Sequence, residues 1–435
     1  MRIAFLLHNA YAIGGTVRTT FNLASALADR GHTVEIASLM RHRDCPRLPL
    51  DTRVRLVPLT DLRASDAADP SRFLPSAVFP SAERRYGQYS RLHDLRAQAY
   101  LRDVTADVVI GTRPGLNVYL ARFGSRRATR IAQEHLSLSV HSTRLRAQLA
   151  PHYRRLDALV TTTEADAADY RARMTLPGVR VSAVPNPVPD PGVAPHGSAG
   201  APDAGNPEAG NPVVAAVGRL TRSKRFDVLI EAFATVADRH PEWRLRIYGG
   251  GERSGLQALI DELDLAGHAT LMGACTPIEP ELAKASLLAL SSDTESFGMA
   301  LVEAMRCGVP AVATDCPHGP GEIIDDGVDG RLVPVRDRDA LADALCALIE
   351  DEPARRRMAE AARRSAARFD PTPIALRHEE MFEQLAASRT QRARERRRAA
   401  LRARLRRWAG RPGLRVLLRA RRGGGRQRRP VRGET

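Results

Sequence analysis

Glu295-Ser-Phe-Gly-Met-Ala-Leu-Val-Glu303 sets two carboxylates on either side of a glycine, with Ala304-Met305 and Gly308-Val309-Pro310 close behind. The stretch leaves the apolar run Leu287–Leu290, turns at Gly298 and reads as a helix from Met299. Ligands of open α/β sheets bind at such strand ends. Free N–H groups at a helix start hold phosphate or sugar oxygens. Glu303, in the second turn, can accept two hydrogen bonds from a vicinal diol such as ribose, and Glu295 can meet a second polyol. The pair suits a ligand with two sugar rings flanking phosphates. The competing reading is a solvated glutamate pair at a helix start, and the spacing alone does not separate the two.

Gly218-Arg219-Leu220-Thr221-Arg222-Ser223-Lys224 again follows a strand and precedes a helix. Cations bracketing a short loop are placed to neutralise a diphosphate, whose charge grows as a glycosidic bond breaks. A solvated basic turn is the plain alternative. Against it stands a compositional bias: of 66 basic residues only Lys224 and Lys284 are lysines. A lysine that persists in such a chain marks a place where the two cations are not interchangeable. Gly14-Gly15-Thr16, at the first strand–helix turn, can let a ligand approach the backbone, or can be a tight turn only. Gln133-Glu134-His135 lies past another strand end, where position alone favours a working histidine. No complete G-x-G-x-x-G and no P-loop is present. Asp337-Arg338-Asp339 reads as a helix cap and not as a metal site.

These residues need elements to position them. Ile3–Leu7 has the continuous apolar character of a parallel strand buried on both faces. A helix to about Arg30 follows, with Phe21, Ala24 and Leu27 on one face, stopped by Gly31. Apolar runs recur around 33–37, 108–110, 130–132, 159–162 and 179–184, with a helix from Glu164. Pro185-Asn186-Pro187 ends the last strand, and a Pro/Gly/Ala-rich stretch follows. The alternation then restarts at Val213–Val217, with a capped helix over 227–240, the turn Gly249-Gly250-Gly251 and further strand–helix units. The predicted organisation is an α/β domain over 1–188, a linker over 189–212, a second α/β domain over 213–372, a helix over 373–388 and an Arg-rich tail over 389–435.

The length favours two cores. Ile3–Leu7 is too short for a signal-peptide core or a membrane span, and nothing later approaches one, which predicts a cytoplasmic protein. Cys45, Cys275, Cys307, Cys316 and Cys346 are scattered and odd in number, which argues against disulfides and zinc. The formal charge of +16 has one source. Residues 389–435 hold nineteen arginines against Glu395 and Glu434, a local +17 that leaves about −1 for residues 1–388. A near-neutral body without interleaved aromatics makes nucleic acid an unfavoured partner. In the tail, 399–409 can form a helix with Leu401, Leu405 and Trp408 on one side, and Leu414, Val416, Leu417 and Leu418 add a second apolar cluster. That pattern predicts contact with an anionic membrane surface.

Taken in order, Gly14-Gly15, Glu134-His135, Thr161-Thr162-Thr163-Glu164-Ala165, Pro185-Asn186-Pro187, Gly218-Arg219-Leu220…Lys224 and Gly249-Gly250-Gly251-Glu252 resemble the motifs of glycosyltransferase family 4. So do Glu295…Glu303-Ala304-Met305…Gly308-Val309-Pro310 and Gly321-Glu322-Ile323…Gly327…Gly330. The resemblance implies the GT-B fold, two doubly wound parallel-sheet Rossmann-like domains facing across a cleft. It implies a retaining transfer of a hexose-type sugar from a nucleoside diphosphate sugar, with uridine the expected base, to an acceptor hydroxyl. Arg219 and Lys224 would then hold the diphosphate, and Glu303 the ribose. Glu295, with the amides of Gly298, Met299 and Ala300, would hold the transferred sugar and distal phosphate. Gly14 and Gly15 would approach the diphosphate, and His135 would line the acceptor side. No metal or other cofactor is expected. Arg225 stands where the family often has glycine. The alternatives are another GT-B enzyme, such as a nucleotide-sugar epimerase or sugar phosphorylase, and a basic-tailed nucleic-acid-binding protein.

Overall fold

Each half opens with an apolar strand flanked by later strands on both sides. In the computed structural model the described residues are 1–63, 69–193 and 212–409, with side chains described to Arg404. The first half runs β1 (Arg2–Leu7), α1 (Gly15–Asp29), β2 (Thr33–Ser38), β3 (Arg55–Pro58), α2 (Arg91–Asp103) and β4 (Val108–Gly111). It continues with α3 (Pro114–Phe123), β5 (Thr129–Gln133), α4 (Thr143–Tyr153), β6 (Ala158–Thr161), α5 (Glu164–Arg173) and β7 (Arg180–Ala183). The sheet order is β3-β2-β1-β4-β5-β6-β7, every pair parallel.

The second half repeats the plan. It runs β8 (Val213–Val217), α6 (Phe226–Arg239), β9 (Arg244–Tyr248), α7 (Ser254–Glu262), β10 (Ala269–Gly273), α8 (Glu279–Leu282) and β11 (Leu287–Leu290). Then come α9 (Met299–Arg306), β12 (Ala311–Thr314), α10 (Pro320–Ile323), β13 (Gly330–Val333), α11 (Arg338–Glu350) and α12 (Glu352–Ala366). The order β10-β9-β8-β11-β12-β13 reverses direction beside β8, as the first sheet does beside β1. These are the switch points where open α/β sheets bind ligands. The Gly14-Gly15 loop follows β1 and the Arg219 loop follows β8.

The sequence pattern missed β3 and α3 for opposite reasons. β3 is an edge strand reading Arg-Leu-Val-Pro, with no apolar run to reveal it. α3 is buried from Pro114 to Ala121, so it has no polar face to give a helical period. The helix expected to begin with a cap at Asp227 starts at Phe226 instead. The residue before it, Arg225, has φ 50° and supplies no side-chain cap.

α13 (Pro371–Ala387) returns to the first half, where Ile374, Ala375, Met381, Phe382 and Leu385 join the core formed by β1 and α1. α14 (Arg389–Ala409) follows at once, and it corrects the expected boundary of the tail. Arg392 is buried, and its guanidinium lies 3.4 Å from Asp157. Arg396 lies 3.1 Å from the same carboxylate and also donates to the Gly178 carbonyl. Asp157 additionally accepts from the Arg130 amide at 3.0 Å. Residues 389–396 are thus part of the folded body. Leu401, Arg402 and Arg404 are exposed, while Leu414, Val416, Leu417 and Leu418 lie outside the described residues.

Burial by itself would raise the Asp157 pKa, but the Arg130 amide and the Arg130 and Arg396 guanidiniums outweigh it and hold the carboxyl below its ordinary value. A depressed carboxylate stabilises the fold above its unfolded pKa and loses that contribution as pH falls through its folded value. Asp157→Asn is therefore expected to cost about 3–5 kcal/mol near neutral pH, because it leaves buried arginines without their counter-charge. The gap from wild type should narrow toward about pH 3, which urea titrations across that range would measure.

Candidate functional site

Gly249 is required by a close approach. A Cβ there would lie 1.7 Å from the Gly218 carbonyl oxygen. The Leu220 amide donates to Gly250 at 2.9 Å, so the three-glycine turn is the backing of the Gly218–Leu220 loop. Arg219 projects from that loop, exposed, and forms no ion pair among the described residues. Lys224 ends a single 3-10 turn whose carbonyl accepts from Ser291 at 2.9 Å. Its ammonium ion-pairs with Glu295, and Ser292 donates to the same carboxylate oxygen at 2.7 Å. Arg225 adopts the left-handed conformation that glycine takes freely, at a cost of roughly 1–2 kcal/mol. Its guanidinium is anchored by Asp227 at 3.0 Å, which keeps the loop tight without the glycine.

The second loop joins β11 to α9. Gly298, at φ 108°, ends it, and the amides of Met299 and Ala300 open the helix without intrahelical acceptors. Ser137 Oγ donates to the Glu295 carbonyl at 3.1 Å, and the Ser137 amide donates to Ser296 Oγ at 3.1 Å. Thr162 Oγ1 donates to the Ser296 carbonyl. All three donors come from the first half. His135 precedes by two residues the Ser137 that donates to the Glu295 carbonyl. Its Nε2 is buried without a partner, and burial pushes its pKa down to about 4, so the ring is neutral at physiological pH. Glu134 beside it points into the core, bonded to Asn117 at 2.8 Å and to Tyr153.

Glu303 is buried beneath α1. Arg18 Nη1 lies 3.0 Å from it and 2.8 Å from Glu279. Burial raises the Glu303 pKa, Arg18 opposes the shift, and Glu279 adds to it. At Gly14 and Gly15 a Cβ would meet nothing within 4 Å. Packing against the protein's own atoms therefore does not demand either glycine, and the open space adjoins α9, whose Met299 accepts from Thr19 at 3.7 Å. The structure thus joins Lys224 to Glu295 and sets Glu303 and Met299 of α9, which opens with Gly298, Met299 and Ala300, against Arg18 and Thr19 of α1, one turn beyond Gly14 and Gly15. Arg219 stands exposed on the Lys224 loop, and His135, its Nε2 buried, lies two residues from Ser137. Sequence reasoning missed Arg18, one turn beyond Gly15, and His378 of α13, a buried neutral neighbour of His135.

Asp337 caps α11 by accepting from Ala340 at 2.9 Å, as its spacing predicted. Among the described residues, Asp166, Asp169 and His318 have ligand atoms within 4.8 Å of one another. All three groups are already engaged. His318 sits 3.4 Å from Asp169, and Asp166 accepts from the Leu138 amide at 2.8 Å.

Residues 13–190 match the family described as Glycosyltransferase Family 4, and residues 202–365 match Glycosyl transferases group 1. The chain belongs to glycosyltransferase family 4. It is 34% identical over 406 residues to an exopolysaccharide phosphotransferase of Streptomyces coelicolor, covering 89% of this chain but 41% of that protein. A D-inositol 3-phosphate glycosyltransferase of Corynebacterium jeikeium is 35% identical over 183 residues, 40% of this chain and 43% of that one. The family 4 chain thus spans about two-fifths of the length of these curated relatives. Sucrose-phosphate synthase of Thermosynechococcus elongatus shares the fold at TM-score 0.72 and 20% identity, over 89% of this chain and 99% of that one. The Anabaena protein HepE, solved with UDP and glucose, gives 0.67 at 18% identity, over 88% and 99%. Both have the two-domain GT-B architecture.

Lys224 leaves little room for a larger head group, since a Cβ on Gly218 would already lie 3.3 Å from Lys224 Cε. Lys224→Arg is expected to weaken nucleoside diphosphate binding about tenfold although the charge is kept. Calorimetric titration of both proteins checks it, and affinity within about twofold of wild type would remove the case for lysine.

Proposed function

We propose that this chain transfers a hexose from a nucleoside diphosphate sugar, with UDP-sugar the first choice, to an acceptor hydroxyl with retention of configuration. The products would be cell-envelope glycans, glycolipids or small-molecule glycosides. One observation carries the reading: Arg219, without an ion pair among the described residues, and tethered Lys224 stand at one strand end, beside a second loop that presents Glu295, free helix amides and Glu303. That is the arrangement a diphosphate between two sugar rings requires. The GT-B neighbour solved with UDP and glucose supports the ligand class.

The anomeric carbon develops oxocarbenium character as the nucleoside diphosphate leaves. Arg219 and Lys224 stabilise the departing phosphate, and the Met299 and Ala300 amides add their dipoles. The acceptor oxygen forms its bond to that carbon from the face the phosphate leaves, and a phosphate oxygen takes the acceptor proton. Glu295 is held by Lys224 and Ser292, which suits it to orienting the sugar and not to attacking it. Neutral His135 lines the acceptor side. The cations meet the charge that a divalent metal would otherwise meet, and transfer is proposed to proceed without one. An epimerase would convert donor supplied alone, whereas this enzyme should only hydrolyse it slowly.

Glu303→Ala is expected to weaken nucleoside diphosphate binding by about 2–4 kcal/mol through loss of two charge-assisted hydrogen bonds. Arg18 keeps Glu279 as partner, so the fold should survive. Calorimetry with UDP, GDP and ADP tests the assignment, and unchanged affinity for all that bind would sink it.

Among the described residues no helix is long and apolar enough to cross a membrane. We propose that the chain beyond Ala400, with thirteen arginines against Glu434, holds the enzyme against an anionic membrane surface. Full-length protein should co-sediment with anionic liposomes and a chain ending at Ala400 should not. The cut spares Arg392 and Arg396, which the Asp157 site needs. Equal recovery of both chains in the supernatant at low salt would rule the contact out.

A further inference from the structure

Arg219 and Lys224 both belong to the second half, and the first half faces them with cations that the donor leaves unused. β1 and β4 are neighbours in the sheet, so His8 and Arg113 emerge at adjacent carboxyl ends. Half-buried Arg85, from the loop before α2, reaches this edge. Its Nη1 donates to Gln88 at 2.9 Å and lies 3.3 Å from His8 Nε2. His8 Nδ1 is 2.7 Å from the Tyr89 hydroxyl, so the ring is fixed at both nitrogens.

The charges do not balance. Arg113 pairs with buried Glu83 at 2.6 Å, while Arg85 forms no ion pair among the described residues. His8 offers no charge in return: burial, then Arg113 and Arg85, push its pKa down to about 3. Arg85 itself is lowered by burial first and then by Arg113; Tyr89 and the carboxylate of Glu83 oppose the shift without cancelling it, and Arg219 across the cleft lowers it further. A partly desolvated guanidinium among like charges is unfavourable until an anion arrives. Its planar fork matches the oxygens of a phosphate or carboxylate.

We propose that Arg85, fixed by His8 and backed by Arg113, receives an oxyanion of the acceptor, so the acceptor is a hydroxyl compound carrying a phosphate or carboxylate group. The proposal rests on the transferase reading and adds the class of its second substrate. It explains why the cation sits on the half opposite the donor loop, at the strand ends beside His8 and within reach of the field of Arg219.

The full chain is first titrated with UDP, GDP and ADP, then, saturated with the one that binds, with inorganic phosphate and separately with acetate. One of the two anions should bind the complex, and which one identifies the group on the acceptor. Arg85→Gln should weaken that anion at least about tenfold and leave nucleotide affinity within about twofold. Arg85→Lys should retain an intermediate affinity, which a merely unfolded variant would not. Neither anion binding the nucleotide complex, or Arg85→Gln binding it as well as wild type, overturns the proposal. So does loss of the nucleotide in Arg85→Gln, which would make Arg85 part of the donor site. A chain that binds none of the three nucleotides fails the transferase reading itself, and the acceptor proposal falls with it.

Discussion

The turn over 295–298 carries two carbonyls that its own half does not satisfy. A backbone carbonyl withdrawn from water needs a donor, and Ser137 and Thr162 of the other half supply them. The turn cannot move away from the first half without breaking those bonds. From behind it is fixed by Gly319, where a Cβ would lie 1.9 Å from the Phe297 carbonyl oxygen. Its side chain Glu295 reaches Lys224 of a second loop, and that loop rests on the three-glycine turn. One loop conformation therefore fixes the distance between the halves, the start of α9 and the place of the lysine.

Charge in the cleft follows from the same contacts. Glu303 and Glu279 share Arg18, and Glu295 holds Lys224, so these carboxylates and cations are oriented before any ligand is present. Such pre-orientation lowers the cost of ordering side chains on binding. Glu322 extends the pattern by accepting from the Glu164 and Ala165 amides at 2.8 Å, so that a carboxylate of the second half caps α5 of the first. The Arg18 and Glu322 contacts tie the two halves together, the Lys224–Glu295 pair lies within the second, and each would respond to a ligand that takes one partner away. Arg219 and Arg85 stand outside the pairing, one on each side of the cleft.

The first half is held to its distal helices by a different charge. Asp157, at the start of β6, collects Arg130, Arg392 and Arg396. Composition placed every arginine beyond 388 in one basic tail. Three-dimensional contact divides them, because a buried carboxylate needs cations close by and α14 brings two of them within reach.

Much of the architecture was legible in the chain. Parallel strands buried on both faces must be apolar throughout, so β1, β8 and β11 announce themselves, and the restart at Val213 announces a second domain. Gly218, Gly249 and Gly298 mark turns that side chains would obstruct or strain, and the first and last of them belong to the loops that carry Lys224 and Glu295. Among the elements that stayed hidden, α3 is buried all round and β3 only slightly. The partners across the cleft stayed hidden for a stronger reason. Arg18, Arg85, Ser137 and Thr162 are ordinary residue types with no spacing of their own, and each acquires a role only through an atom far away in the chain, 77 residues off for Arg85 and more than a hundred for the others. Local sequence determined the strands and the turns because backbone sterics and burial act on neighbours in the chain. The tertiary structure alone decided which hydroxyl satisfies which carbonyl, and which arginine is left without a counter-charge, because hydrogen bonding and electrostatics act through space.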